Sequence, residues 1–247
     1  MKKYFQAPWS TKETIIIFAT TITLMILAMI AGNQLQIFPD KSGNNVKILK
    51  VVAAFILQWT ILLIPIIFIT KKKYRNLAKN LGFEKTGILK TIGYIVKSYL
   101  TYIIIVFLIL LGILYLDLKI PGFQAQKELL PLFGTAKTNL VVAGIIAIVI
   151  GPIVEEIFFR GFLLRSLSNQ WGIITANIST AAIFALFHMQ LQSIIPIFIL
   201  GLIINKIVID SKSIVPAIAF HVFNNAVAFT ISVILLKDAI PIENITN

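Results

Sequence analysis

Seven stretches of the chain are apolar over sixteen residues or more, and the segments between them are more polar. A bilayer hydrocarbon core about 30 Å thick is crossed by a helix of about 20 residues. On that measure spans are predicted at 14–31, 48–70, 92–116, 139–167, 173–188, 193–208 and 214–236, a count of seven bounded by six and eight. The first run is longer than the apolar core of a cleaved signal peptide and reads as a retained span. Between spans, Pro39–Asn45 (PDKSGNN) is a turn by composition. Residues 76–90 alternate apolar and charged positions, which predicts a short amphipathic helix at the interface. Residues 117–138 hold Pro121, Gly122, Pro131 and Gly134 and read as an irregular connection with room for a further interfacial helix. No repeat or low-complexity tract interrupts the pattern. Barrel strands would show short alternating segments of about ten residues. The expected fold is therefore all-α: a polytopic, integral membrane helical bundle of one integrated domain. Its sections are N-terminal spans (1–138), a helical core (139–236) and a short tail (237–247).

Composition narrows the class. Of 247 residues 58% are apolar and 13% charged, and the mean hydropathy is +0.92. A water-soluble domain must cover its surface with polar groups, so a soluble enzyme and a disordered chain are excluded. There are no cysteines, which removes a disulfide scaffold, a thiolate metal site and a cysteine nucleophile. The net charge of +12 sits at the ends of apolar runs: Lys2 and Lys3, Lys71–Lys73 with Arg75, Lys85 and Lys90. That placement suits cytoplasmic loops and anionic lipid, not nucleic acid. With seven spans and the 71–75 cluster inside, the N-terminus is cytoplasmic. Most of the Lys and Arg outside the spans then lie on the inner side. One missed helix would flip the second half. The expected location is a cell membrane, crossed several times.

The chemistry concentrates between 139 and 236. Glu155, Glu156, Arg160, His188 and His221 stand in otherwise apolar runs, and these two histidines are the only ones in the chain. A charge at bilayer depth costs about 2.5 kcal/mol or more, so such groups face one another or a wet cavity. Glu156 and Arg160 are four apart and can pair on one helix face. Glu155 points about 100° away. In an α-helix Pro152 would free the carbonyl of Ile148, beside the loosening Gly151. Phe184 and His188, and His221 and Asn225, are also pairs four apart. Glu155 lies 16 residues before Trp171 and His188 17 after it, so in an antiparallel hairpin they reach similar depth. His221 sits about two turns into its span. An inward dip of the link 189–192, or a tilted sixth span, would bring it level.

These residues resemble the CPBP family, the CAAX protease and bacteriocin-processing intramembrane peptidases. Its three signatures are EExxxR, FxxxH and HxxxN, each on its own helix. They stand here as Glu155–Arg160 followed by Gly161, Phe184–His188, and His221–Asn225, in the expected order. The likeness covers about 139–230. It implies Glu155 as the base that activates water, His188 as a holder of that water, and His221 with Asn225 as donors to the oxyanion. Glu156 and Arg160 would fix the helix, and Phe184 would shape the pocket wall. Peptide hydrolysis needs such a base, water and donors. The family is often labelled metallopeptidase, and Glu155, His188 and His221 could ligate zinc. There is no HExxH spacing, and the preferred reading requires no cofactor.

Each feature also has a plain structural reading: an ion pair that stabilises the bundle, a core histidine, or polar glue between helices. The leading functional reading is an intramembrane endopeptidase acting on a membrane-associated peptide or protein. Abundant Lys, Ile and Asn without cysteine suggest a low-GC bacterium, where peptide processing, signalling or bacteriocin self-immunity is expected over prenyl-protein maturation. The alternative is a non-catalytic membrane partner that uses the same fold. A transporter ranks below both, for lack of paired interrupted helices in two similar halves. The glycosylation patterns at Asn177 and Asn244 carry no weight in a bacterial protein.

Overall fold

A computed structural model describes residues 7–34, 44–71, 74, 76–124, 133 and 137–239. Lys2 and Lys3, the 39–43 part of the predicted turn, Lys72, Lys73 and Arg75, most of 125–136 (with Pro131 and Gly134), and 240–247 lie outside the described residues. The architecture is all-helical: α1 (Thr11–Gln34), α2 (Asn44–Lys71), α3 (Leu77–Asn80), α4 (Ile88–Tyr115), α5 (Thr138–Trp171), α6 (Ile173–Phe187), α7 (Ile194–Ser211) and α8 (Val215–Ala239). Six of these are long and apolar enough to cross a membrane. The protein is a multi-pass membrane protein.

The fifth predicted span is shorter than the others. Helix α6 has 15 residues, about 22 Å at 1.5 Å per residue, against a core of about 30 Å. Gly172 at φ +80° bounds it on one side and Met189 at φ +52° turns the chain on the other. Among the described residues six full-length spans are found, within the expected range. The amphipathic helix expected over 76–90 is also corrected, because only Leu77–Asn80 is helical before α4 begins at Ile88. Gly82, at φ +86°, turns the chain. Its carbonyl then accepts the Ile214 amide at 3.0 Å, while Ser213 Oγ donates to the Glu84 carbonyl at 2.7 Å. Tertiary partners thus hold this stretch open, and α4 begins at Ile88. Asn44 and Asn45, placed in a turn by composition, open α2.

Contacts group the chain into two compact units. The first comprises Met1–Pro8, Asn76–Lys127 and Glu156–Phe223; the second comprises Trp9–Arg75, Glu128–Glu155 and Asn224–Asn247. In the first, α6 packs on α7 at close range. A Cβ built on Gly201 would lie 3.2 Å from the Cα and Cβ of Ala181, so glycine sets the separation of the two helices. The link after α6 is tied to an earlier turn by Gln124 N–H donating to the Gln192 carbonyl (2.8 Å) and Ile195 N–H to the Gly122 carbonyl (3.0 Å). The outer face of α4 exposes Leu100, Ile104, Phe107, Leu108 and Leu111, a surface that belongs against lipid.

In the second unit α1 packs along α2. Tyr74 donates its hydroxyl proton to Glu13 at 2.8 Å. Val51, Phe133, Ala143 and Ile146 form a buried cluster, backed by Phe55, Trp59 and Phe229. The Phe55 ring stacks on Phe133 (6.2 Å, 18°) at the side of this cluster.

Candidate active site

Helix α5 carries both carboxylates on a short α-helical stretch, Gly151–Glu156, between two π-helical ones, Ile145–Ile150 and Ile157–Leu164. A π turn admits an extra residue per turn and recurs at functional sites. Here the loosening expected at Gly151 and Pro152 takes this form, and it moves the orphaned carbonyl. The Gly151 N–H donates to Ile146 O, five residues back. An α-helix would have directed it to Ala147 O. The next residue, Pro152, has no N–H to offer. The carbonyl left without either of these main-chain donors is therefore that of Ala147, where the α register had pointed to Ile148. Asn225 Nδ2 donates to it at 2.9 Å, within the second unit.

The first unit gathers the remaining polar groups around one carboxylate oxygen. Glu156 Oε1 accepts hydrogen bonds from Arg160 Nη1 and from His221 Nδ1, both at 2.8 Å. Glu156 and Arg160 are wholly buried and His221 nearly so. Arg160 Nε donates to Asn205 Oδ1 (2.9 Å) and Nη2 to the Gly201 carbonyl (3.3 Å). Asn205 Nδ2 in turn donates to the Asn177 carbonyl at 2.9 Å. A buried charge is tolerated when it is both paired and hydrogen-bonded, and three helices contribute to that here. Sequence reasoning missed Asn205 and Gly201. A lone Asn inside IFILGLIINKIVI was the available signal.

Phe184 sets the two imidazoles. Its buried ring meets His188 edge-on at 4.6 Å between centroids and His221 at 5.9 Å. The Arg160 guanidinium lies 4.3 Å from the centre of the same ring, a cation–π contact in a desolvated place. His188 Nδ1 is 2.8 Å from the Phe184 carbonyl. A carbonyl only accepts, so Nδ1 carries the proton and Nε2 of a neutral ring is an acceptor. By the same argument His221 Nδ1 carries the proton it shares with Glu156, and its Nε2 faces away from that bond.

Of the residues singled out in the sequence, Glu156, Arg160, Phe184, His188 and His221 lie in the first unit. Glu155 and Asn225 lie in the second, both half-buried. Among the described residues no group of three or more His, Asp or Glu is arranged to hold a metal ion.

Residues 137–227 match the family described as type II CAAX prenyl endopeptidase Rce1-like. The matched segment contains all three motifs and agrees with the CPBP resemblance. No curated protein and no solved structure matches the chain.

Proposed function

We propose that the chain is an intramembrane endopeptidase that hydrolyses a peptide bond of a membrane-associated peptide or protein with a glutamate-activated water. The observation that carries this reading is the presence of all three motifs, intact and in order, within a segment matched by a protease family. Glu155 takes a proton from water, and the resulting hydroxide attacks the scissile carbonyl carbon. His188 holds that water through Nε2, the nitrogen left as acceptor once Nδ1–H is committed to the Phe184 carbonyl. The carbonyl oxygen becomes an oxyanion, stabilised by donors from His221 Nε2 and the Asn225 amide. A ring that donates from both nitrogens is an imidazolium, and the Glu156 carboxylate is its counter-charge. On collapse the C–N bond breaks, and Glu155 returns its proton to the leaving amine.

The preferred substrates are peptides processed at a bacterial plasma membrane, in export, signalling or bacteriocin self-immunity. The test compares membrane and secreted peptidomes of cells carrying the wild type or Glu155→Gln. Peptides that appear only with the wild type identify the substrate; identical peptidomes, with both proteins folded in the membrane, overturn the reading. A chelator arm separates the two chemistries. Cleavage unchanged by chelation supports water activated by glutamate alone, and loss restored by zinc transfers the activation to a metal.

A further inference from the structure

We infer that Asn225 is a positioning residue: it holds the helix ahead of Glu155 in its π register by occupying the carbonyl that Pro152 leaves orphaned. The inference rests on the proposed role of Glu155 and adds to it a second task for Asn225.

Three observations within one unit carry it. The Gly151 N–H reaches Ile146 O and so bypasses Ala147 O. A Cβ built on Gly151 would stand 3.1 Å from that same Ile146 O, so the bare Cα lets the turn close without displacement. Asn225 Nδ2 then lies 2.9 Å from Ala147 O. In hydrocarbon an unsatisfied carbonyl costs several kcal/mol, because no water is there to replace the lost donor. With Pro152 in place the π register leaves Ala147 O without a main-chain donor and the α register leaves Ile148 O, so the hydrogen bond from Asn225 to Ala147 O is what favours the π form. Each residue added or removed from a turn rotates the rest of the helix by about 100°. Glu155 comes four residues after Gly151, so the choice of register sets the face on which its carboxylate emerges. The amide nitrogen of Asn225 carries two hydrogens, so one can serve Ala147 and the other an oxyanion.

The chain has no cysteine, which allows orientation at position 155 to be read without any turnover. Glu155→Cys protein in lipid nanodiscs is labelled with a maleimide, alone and combined with Asn225→Ala, Pro152→Ala or both. Asn225→Leu, apolar and close in size, serves beside Asn225→Ala in case the smaller residue fails to fold. Removing the amide is expected to change the labelling rate about threefold or more when Pro152 is present. In the Pro152→Ala background it is expected to change almost nothing. There Ala147 O has a main-chain donor in either register, Gly151 in the α form and residue 152 in the π form. An equal effect of Asn225 substitution in both backgrounds, or none in either, overturns the inference. The same cycle read on cleavage, with Glu155 intact, is expected to show a loss of about tenfold from Asn225→Ala that shrinks when Pro152 is replaced. If the wild type cleaves nothing, the peptidase reading fails while the labelling cycle still decides the role of Asn225.

Discussion

Arg160 and His221 hydrogen-bond to the same oxygen of Glu156, each at 2.8 Å, although they come from different helices. One carboxylate therefore supports both a buried cation and the imidazole proposed to face the oxyanion. Glu156→Gln keeps the shape and removes the charge, leaving Arg160 buried without its partner in this ion pair. Breaking a buried pair from one side costs about 3–5 kcal/mol. The variant is expected to show that loss in thermal unfolding in detergent, together with reduced cleavage. Unchanged unfolding would mean that Arg160 depends little on this carboxylate.

Asn205 joins that network to the backbone of α6. Asn205→Ala strands Arg160 Nε and removes the second donor to the Asn177 carbonyl, which stays in the ladder of α6. Each unmet buried group costs about 1–3 kcal/mol. Asn205→Asp keeps the acceptor for Arg160 and loses only the donor to Asn177, so it is expected to destabilise less than Asn205→Ala. Thermal melts of the two variants rank them, and the reverse order would place the main contribution of Asn205 at Asn177.

The distance over which each feature is set decides how legible it was in the sequence. Glu156 and Arg160 are one turn apart, so spacing alone anticipates their bond. The cluster of ionisable groups in 139–236 was visible because each stands out in an apolar run. Asn205 and Gly201 reach Arg160 across more than forty residues, and a single Asn or Gly in a span has no periodicity to announce it. The open stretch after Leu77–Asn80 has the same cause: alternation favours an amphipathic helix, and the decision belongs to contacts with Ser213 and Ile214. At Pro152 the local rule identified the missing donor. The carbonyl actually orphaned depends on the π register, which propensity does not set.

Phe184 links the buried charge to both imidazoles, so its replacement is expected to act on stability and turnover by separate routes. Phe184→Leu retains apolar bulk and loses the ring face under Arg160. The cation–π part is worth about 2 kcal/mol when desolvated, and a fall of that order is expected in unfolding free energy. It also removes the edge contacts to His188 and His221. Turnover is therefore expected to fall in kcat with little change in KM, because the ring orients groups that act in the transition state. A change confined to KM would instead make Phe184 a wall that binds substrate.

The glycines of α4 and α7 should respond to alanine in opposite senses. A Cβ on Gly93 or Gly112 meets nothing within 4 Å, and both lie inside α4, where alanine favours the helix by up to about 1 kcal/mol. Both replacements are expected to raise thermal stability slightly. On Gly201 the added methyl would lie 3.2 Å from the backbone Cα of Ala181 and 3.3 Å from the Phe184 ring. Backbone cannot swing aside as a flexible side chain does, so α7 must move away from α6, at a cost of about 1–3 kcal/mol. That movement also stretches the Arg160 bond to the Gly201 carbonyl, already 3.3 Å long. Gly201→Ala should therefore melt lower and cleave more slowly, and combining it with Asn205→Ala should add less than the sum of the two losses, because both act on the same guanidinium. Full additivity in that double variant would separate the helix contact from the Arg160 network.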